Sequence, residues 1–417
     1  MRRNSVQTAD LAINILKKVR EANGISRVQV ARILGLAPST TGIHVERLIA
    51  GGYLTETDVK LRGAGRPPRL LQMNPDGGEF IGVDFEARSI MAVAVDFSDK
   101  PLRNARRSIE PGDTENQIIK KIEEAIVEIL PKGKAQLLAI GVGVPGLVDS
   151  SKGMALLYKY IAQWKNVPLA SRLFARFAVP VFLENNARSM ALAEMWFGQG
   201  KGCRDFLCVG IRSGIGVGIV MDGRLHRGAT FGAGELGRWR SAEFPHRGYE
   251  FTSAVADEGP GGPELQEIAS ARAIQYAVQA AVTSGKKTVL SRAQPVSLQA
   301  IIQAAQQRDT LTLGIVAQAA TYLGAAIGNL ALVLNPAKVM LAGPLTSLGE
   351  AFLKPLRAEV ARRLAPSGLA VPEIANSTMG EFSGALGAAA LALHEWKPGA
   401  QASSPGKRRQ AKARRPA

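Results

Sequence analysis

Cysteine is nearly absent: Cys203 and Cys208 are the only two in 417 residues. Two thiols cannot build a disulfide framework, and a pair separated by four residues does not by itself make a metal site. They are expected to be small buried hydrophobes. No run approaches the roughly 18–20 apolar residues that a membrane span needs, although 46% of the residues are hydrophobic and the mean hydropathy is +0.03. Arg2 and Arg3 lead into an amphipathic, charged segment, which is not the pattern of a signal peptide, so the cytoplasm is the expected location. Acidic residues are also scarce, 35 against 52 basic ones, for a net charge of +17. Residues 1–75 hold 12 Lys/Arg and 5 Asp/Glu, and residues 403–417 hold six Lys/Arg and no acid, which leaves +4 on everything between. Basic ends on a balanced body suit a polyanion partner. Plain solubility charge is the alternative for the tail.

The length implies two to three domains. In the first 75 residues, Leu11, Ile15, Leu16 and Val19 recur at helical spacing, so a helix is expected from about Thr8 to Ala22, stopped by Asn23-Gly24. A second helix opens at Ser26, with Gln29 three residues on in a capping-box pattern, and ends at Gly35. Pro38-Ser39 opens a third helix to about Ala50. Stepping about 100° per residue puts Thr41, Val45, Leu48 and Ile49 on a buried stripe. Ser39, Thr40, Ile43 and Arg47 fall opposite, with His44 and Glu46 on the flanks. This is a helix-turn-helix whose outer face suits duplex DNA: hydroxyls for phosphates or base edges, Ile43 for a thymine methyl, Arg47 for phosphate or guanine.

Tyr53–Thr57 and Leu70–Met73 read as two strands around a tip, which makes a winged helix with Lys60, Arg62, Arg66 and Arg69 on the wing. Gly65-Arg66-Pro67-Pro68 resembles the short Gly-Arg-Pro element that enters A/T-rich minor grooves. A protein-interaction winged helix is the competing reading.

From residue 78 strands alternate with helices, the signature of an α/β fold. Phe80–Asp84 and Ile90–Asp96 read as a strand pair, and Leu137–Gly146 as a strand entering a Gly/Pro turn. Val179–Leu183 is a strand that ends at Glu184-Asn185-Asn186, before a helix over Ala187–Trp196. Phe206–Val220 forms a strand pair, Leu311–Leu334 a long helix, Lys338–Ala342 a strand, and Gly380–Glu395 an Ala/Gly-rich closing helix.

Ile140-Gly-Val-Gly-Val-Pro-Gly-Leu-Val-Asp149, Trp164–Leu169, Ser213–Val220, Gly234-Glu-Leu-Gly237 and Leu323–Leu330 running into Leu334-Asn-Pro336 occur in the order found in the ROK family (repressors, open reading frames, kinases). The resemblance covers roughly residues 80–396. It implies an actin/hexokinase-like, ribonuclease H-like fold of two α/β lobes around a sugar and nucleotide cleft. The expected organisation is a winged head over 1–75, a body over 78–396 and a disordered basic tail over 397–417. The body would divide into one lobe of about 78–186 plus 380–396 and another of about 187–379.

The chain departs from the family where phosphate is moved. The family's first phosphate loop reads Asp-x-Gly-Gly-Thr-Lys, but Asp84-Phe-Glu-Ala-Arg-Ser89 stands here. Both glycines, which permit close backbone approach, are gone. Glu86 would repel a phosphate by about 4 kcal/mol at about 4 Å and an effective dielectric near 20. The family's Glu-Asn-Asp-Ala-Asn, whose Asp takes the sugar proton, is replaced by Glu184-Asn-Asn-Ala-Arg188. A neutral amide binds a hydroxyl but cannot accept its proton. Arg238 stands in place of a zinc-binding His, and Glu258–Ser270 holds no Cys, so no zinc or other cofactor is expected.

By the same resemblance Asn185, Asn186, Glu235 and Glu267 match sugar-contacting positions, with Arg238 replacing one. The alternatives are that these groups cap helices, or that Arg238 and Glu235 pair with each other. The expected protein is a DNA-binding regulator of carbohydrate genes with a sugar-like effector, acting as a dimer or higher oligomer on operator DNA. An active sugar kinase with an added head is the second reading, and a regulator without a ligand the third.

Overall fold

The computed structural model describes residues 2–58, 69–86, 88–98, 100–133, 135–240, 262–291 and 295–398, with side chains from residue 11 onward. Lys60, Arg62, Arg66, the Gly-Arg-Pro element and the basic tail lie outside the described residues.

The head begins with α1 (Arg2–Ala22), six residues longer at its start than the apolar spacing indicates. In α2 (Arg27–Leu34) both capping-box bonds between Ser26 and Gln29 form, and Gly35 closes the helix with φ +62°. α3 (Pro38–Ala50) follows, then β1 (Leu54–Asp58) pairs antiparallel with β2 (Arg69–Met73). Thr41, Val45 and Leu48 are buried as phased, and Ile49 is half-buried. His44, expected on the flank of the helix as a DNA contact, is buried instead. It lies only about 40–60° around the helix from Leu48 and Thr41, within the stripe that packs inward.

The first sheet has the order β10-β6-β3-β4-β5. Its strands are β3 (Glu79–Phe85), β4 (Ser89–Asp96), β5 (Pro101–Ser108), β6 (Leu137–Val144) and β10 (Val181–Asn185), with α4 (Glu115–Glu128) and α5 (Leu169–Phe177) over one face. A three-stranded sheet of β7 (Leu147–Asp149), β8 (Met154–Leu157) and β9 (Lys165–Val167) projects beside it. β3, β6 and β10 are parallel, with Asp84 opposite Gly143 and Asn185 opposite Val144, so their carboxyl ends meet at one edge.

After α6 (Asn186–Phe197) comes the second sheet, ordered β13-β12-β11-β14-β15. It contains β11 (Phe206–Ile211), β12 (Ile215–Met221), β13 (Arg224–His226), β14 (Lys338–Ala342) and β15 (Glu373–Asn376). α7 (Leu265–Ala269), α8 (Ala271–Thr283), α9 (Leu298–Gln306), α10 (Thr310–Leu334) and α11 (Glu350–Leu364) pack with it into one apolar core. Contrary to the sequence reading, α10 is long and apolar enough to cross a membrane, but 61% of its most apolar window is buried in that core. It is a core helix. Cys208 is buried beside Met190 and Phe206, while Cys203 is only half-buried.

α12 (Ser383–Glu395) closes the chain on the first sheet, and α6 lies against the second. Small residues let these layers touch backbone to backbone. A Cβ on Gly82 would stand 1.9 Å from the Ala385 carbonyl oxygen, and one on Gly387 would stand 1.6 Å from that of Ser189. The two helices therefore form the middle layer between the sheets.

Candidate functional site

A cleft opens at the carboxyl ends of the parallel strands of both sheets, the usual location of ligands in α/β folds. One part, about 90 Å³, is lined by Tyr158, Tyr160, Asn185, Asn186, Glu235 and Arg238, among others. The other, about 430 Å³, lies between Asp84, Arg106, Gly343, Ser377 and Ser383. Glu86 and Arg212 line both parts and form the partition between them.

Arg212 was not singled out from the sequence, although an arginine at the end of the apolar strand Phe206–Ile211, just before a Gly-rich turn, is a signal in itself. Its Nη1 donates to Oδ2 of buried Asp84, the first residue of the stretch that the resemblance aligns with a phosphate loop. The neighbouring Ser213 Oγ donates to Glu86 Oε2 at 3.2 Å and lies 3.2 Å from the Tyr158 hydroxyl. Side chains of the two sheets thus meet across the cleft. The Glu86 N–H donates to the Ser89 carbonyl at 3.0 Å.

Burial pushes the Asp84 carboxyl up to about 6, with Arg212 pulling it back. Burial opposes the Arg212 charge, but Asp84 and Glu86 together hold its pKa above the ordinary value. Asp84 therefore takes up a proton in the folded protein at a pH where the unfolded chain, near 3.8, does not. The burial cost that this group imposes at neutral pH is relieved as pH falls through about 6, while its pairing with Arg212 is lost. Amide exchange of Arg212–Gly216 is expected to be faster at pH 5 than at pH 7.5 after correction for intrinsic rates. Equal protection would mean that the pair does not hold the cleft.

Asn185 caps α6. Its carbonyl accepts from Ala187 N–H at 2.9 Å and Arg188 N–H at 3.3 Å, and its amide donates to the Gly146 carbonyl at 2.9 Å. Its polar atoms serve the scaffold. Asn186, the first residue of α6, borders the cleft and has no side-chain hydrogen bond among the described residues. Glu235 and Arg238 both face the cleft and pair at 3.0 Å, half-exposed, so the pair itself is of little energetic weight. Glu267 is not brought to the cleft. Its carboxylate caps α7 by accepting from the Glu264 N–H at 2.8 Å, and the side chain presented there is Gln266.

The loop that carries Glu235 is pinned from below. Glu184, fully buried, accepts from Arg188 Nε at 2.7 Å and Arg227 Nε at 2.6 Å. Arg188 Nη1 also donates to the carbonyls of Phe231 at 2.9 Å and Ala233 at 3.1 Å. Gly234, at φ +91°, seats the loop on β12: a Cβ there would stand 1.8 Å from the Val217 carbonyl oxygen. Among the described residues no cluster of three His, Cys, Asp or Glu is arranged to hold a metal ion.

On the head, Ser39 and Arg47 are exposed, Thr40 is half-buried and Ile43 is 55% exposed, together along the free side of α3. Burial, with Arg47 adding to it, lowers the His44 pKa and favours the neutral ring, and the side chain is buried. Arg27 clamps the head: Nε and Nη2 grip Glu56 at 2.8 and 2.7 Å, and Nη1 reaches Glu46 at 2.6 Å. Arg69 sits at the base of the wing, paired to Asp58 at 2.9 Å.

The ROK family model matches residues 80–395. A relative named "Xylose repressor" from Caldicellulosiruptor bescii is 29% identical over 84% of this chain and 86% of its own length. Among solved structures, a ROK family transcriptional regulator homologous to the E. coli MLC protein superposes with a TM-score of 0.77. It is 24% identical, over 93% of this chain and 96% of that one, and so speaks to the fold. A ROK family glucokinase from Streptomyces griseus, solved with glucose and AMPPNP, gives a TM-score of 0.65 at 26% identity. It covers 76% of this chain and 99% of its own.

Proposed function

The chain belongs to the ROK family, and on that premise we propose that it is a sugar-responsive transcriptional repressor whose cleft binds a sugar without phosphorylating it. The observation that carries this reading is the Asp84–Arg212 pair, a guanidinium seated where the resemblance puts the nucleotide phosphates. Asn186 supports it, because a carboxamide at the family's proton-accepting position holds a hydroxyl and leaves it protonated. The free side of α3 supports the DNA-binding half: Arg47, Ser39 and Thr40 for phosphates or base edges and Ile43 for a thymine methyl. Arg69 and the wing residues Lys60, Arg62 and Arg66 would add backbone and minor-groove contacts. Asn186, Glu235 and Arg238 are the effector contacts we assign, and Gln266 takes the place expected of Glu267.

Deleting the gene is expected to raise transcripts of adjacent sugar-handling genes. A fall in those transcripts would make the protein an activator, and no change would remove it from their control. A single short recognition face buries too little for tight specific binding, so the repressor acts as a dimer on two half-sites about one helical turn apart. Light scattering at micromolar concentration is expected to return at least twice the 44.3 kDa chain mass; a monomer would contradict this.

The similarity to a glucokinase favours one other reading, an active sugar kinase. With ATP, Mg²⁺ and D-glucose or D-xylose, a coupled assay is expected to show no sugar-dependent ADP release above background. Release that Asn186→Ala abolishes would establish the kinase instead.

Trp396, near the end of the described chain, packs on Tyr53 of the head with ring centroids 4.9 Å apart, so the basic tail starts beside the DNA-binding module. Removing residues 399–417 takes away six cations. At about 0.9 per phosphate neutralised, the slope of log affinity against log salt is expected to flatten by up to about 5, with site preference retained. An unchanged slope would make the tail inert.

A further inference from the structure

The head does not simply hang from the body. Ile15, Leu16 and Val19 of α1, with Val45, Leu48 and Leu71, share one apolar cluster with Phe80, Phe97, Ala389, Leu393 and Trp396. Beside that cluster Arg20 of α1 lies over the Trp196 ring at 5.3 Å, and Trp196 stacks on His394 at 3.5 Å. Arg20 Nη1 is also 3.3 Å from His394 Nε2. A guanidinium only donates, so the imidazole accepts there and carries its proton on Nδ1. Burial, reinforced by Arg20 and Lys17, keeps that ring neutral by lowering its pKa well below the usual value.

Trp196 and His394 end the two helices of the middle layer, and both helices begin at the cleft. α6 starts at Asn186, and Gly384 in the first turn of α12 abuts the Asp84 carboxylate. The contacts Ser189–Gly387 and Trp196–His394 are each separated by seven residues along both helices, so the helices run parallel and in register. Each spans about 18–20 Å at 1.5 Å per residue. Close backbone contacts at Gly387 and Gly82 leave little compressible side-chain matter between cleft and head, and close-packed elements transmit displacement.

We propose that α6 and α12 act as a parallel pair of rods that carry the open or closed state of the cleft to the DNA-binding head, delivered at the Arg20–Trp196–His394 contact. The two states differ at the cleft in the Asp84–Arg212 and Glu86–Ser213 bonds, made when the sheets are closed on each other and broken when they part. The contact at the far end gives each state its own seat for α1. A ligand shifts this equilibrium only by its preference for one state, and an intact junction makes that preference felt at the DNA. This rests on the regulator reading above, so its first test uses neither DNA nor sugar.

In the full-length protein, Asp84→Asn with Arg212→Ala opens the latch without leaving a buried charge. Hydrogen exchange in the last turns of α6 and α12 and in α1 is expected to rise several-fold. In a Trp196→Leu background the same cleft change is expected to leave α1 at its background rate. Exchange in α1 that ignores the latch, or that responds equally with Trp196→Leu, would overturn the proposal. The second readout uses the promoter DNA beside the gene, with D-xylose or D-glucose. Trp196→Leu and Arg20→Gln are expected to bind DNA within about twofold of wild type and sugar at an unchanged midpoint. The sugar-dependent loss of DNA affinity, typically 5–150-fold for coupled sites, should shrink to less than about threefold. Full release by a sugar in both variants would also sink the idea. If no wild-type response to sugar exists, the regulator reading fails at that point, while the exchange result still decides the rods.

Discussion

Replacing Glu184 with alanine is expected to destabilise the protein by about 3–5 kcal/mol, the cost typical of removing one partner from a buried ion pair. The carboxylate has no exposed surface, and it faces Arg188, whose side chain is 2% exposed. Without Glu184, Arg188 keeps its two carbonyl contacts at Phe231 and Ala233 but has no counter-charge in the interior. Arg227 is a third exposed and recovers solvation, so it adds less. Glu184→Gln keeps the shape and some hydrogen bonding and should lose less. Urea unfolding gives the energies, and limited proteolysis reads the second consequence, release of the loop over residues 227–234 that holds Glu235 at the cleft. A loss under about 0.5 kcal/mol for Glu184→Ala would mean that the two arginines are not held as described.

Arg47→Ala is expected to weaken operator binding by 10- to 100-fold, equivalent to about 1–3 kcal/mol for a guanidinium on a base edge. The side chain stands exposed on the free side of α3 and makes no ion pair among the described residues, so its removal leaves the head folded. If Arg47 reads guanine, the loss is confined to sequences carrying that base. If it binds phosphate, affinity falls alike for all sequences and the salt slope drops by about 1. Equal affinity for wild type and variant on every duplex would remove α3 as the reading element. His44→Ala serves as the contrast: its ring packs in the head core, so the expected defect is in thermal stability of the head rather than in base preference.

The head was largely legible because its signals are local. A capping box at Ser26–Gln29, a left-handed glycine at Gly35 and a proline at the first turn of α3 each fix a helix end without help from distant residues. His44 escaped because the phase argument sorted residues into two faces, whereas a short helix in a three-helix head buries a wider arc. The order of the principal strands and helices of the body was readable, but strands β5, β7–β9, β13 and β15 and helices α5, α7–α9 and α11 were not. β5, β13 and β15 are edge strands and β7–β9 are only three or four residues long, whereas the helical spacing of Phe352, Leu353, Leu356, Val360 and Leu364 in α11 was there to be read.

At the cleft, departures from the family's motifs could be read in the sequence, and the contacts made between distant residues could not. The missing glycines near Asp84 and the amide at Asn186 are visible in a linear motif. The role of Arg212 depends on Asp84, 128 residues away, and that of Arg188 on carbonyls more than 40 residues on. Gln266 and Glu267 are adjacent in sequence, and only the cap on α7 decides which of them faces the cleft.

The most direct test is fluorescence anisotropy of labelled promoter DNA from beside the gene, titrated with the full-length protein at low ionic strength and then with sugar. The account predicts saturable binding that is tighter than to an unrelated duplex, and release on adding D-xylose, D-glucose or a close analogue without any need for ATP. Absence of binding to every promoter fragment at low salt, or release that requires ATP and leaves a phosphorylated sugar behind, would contradict it.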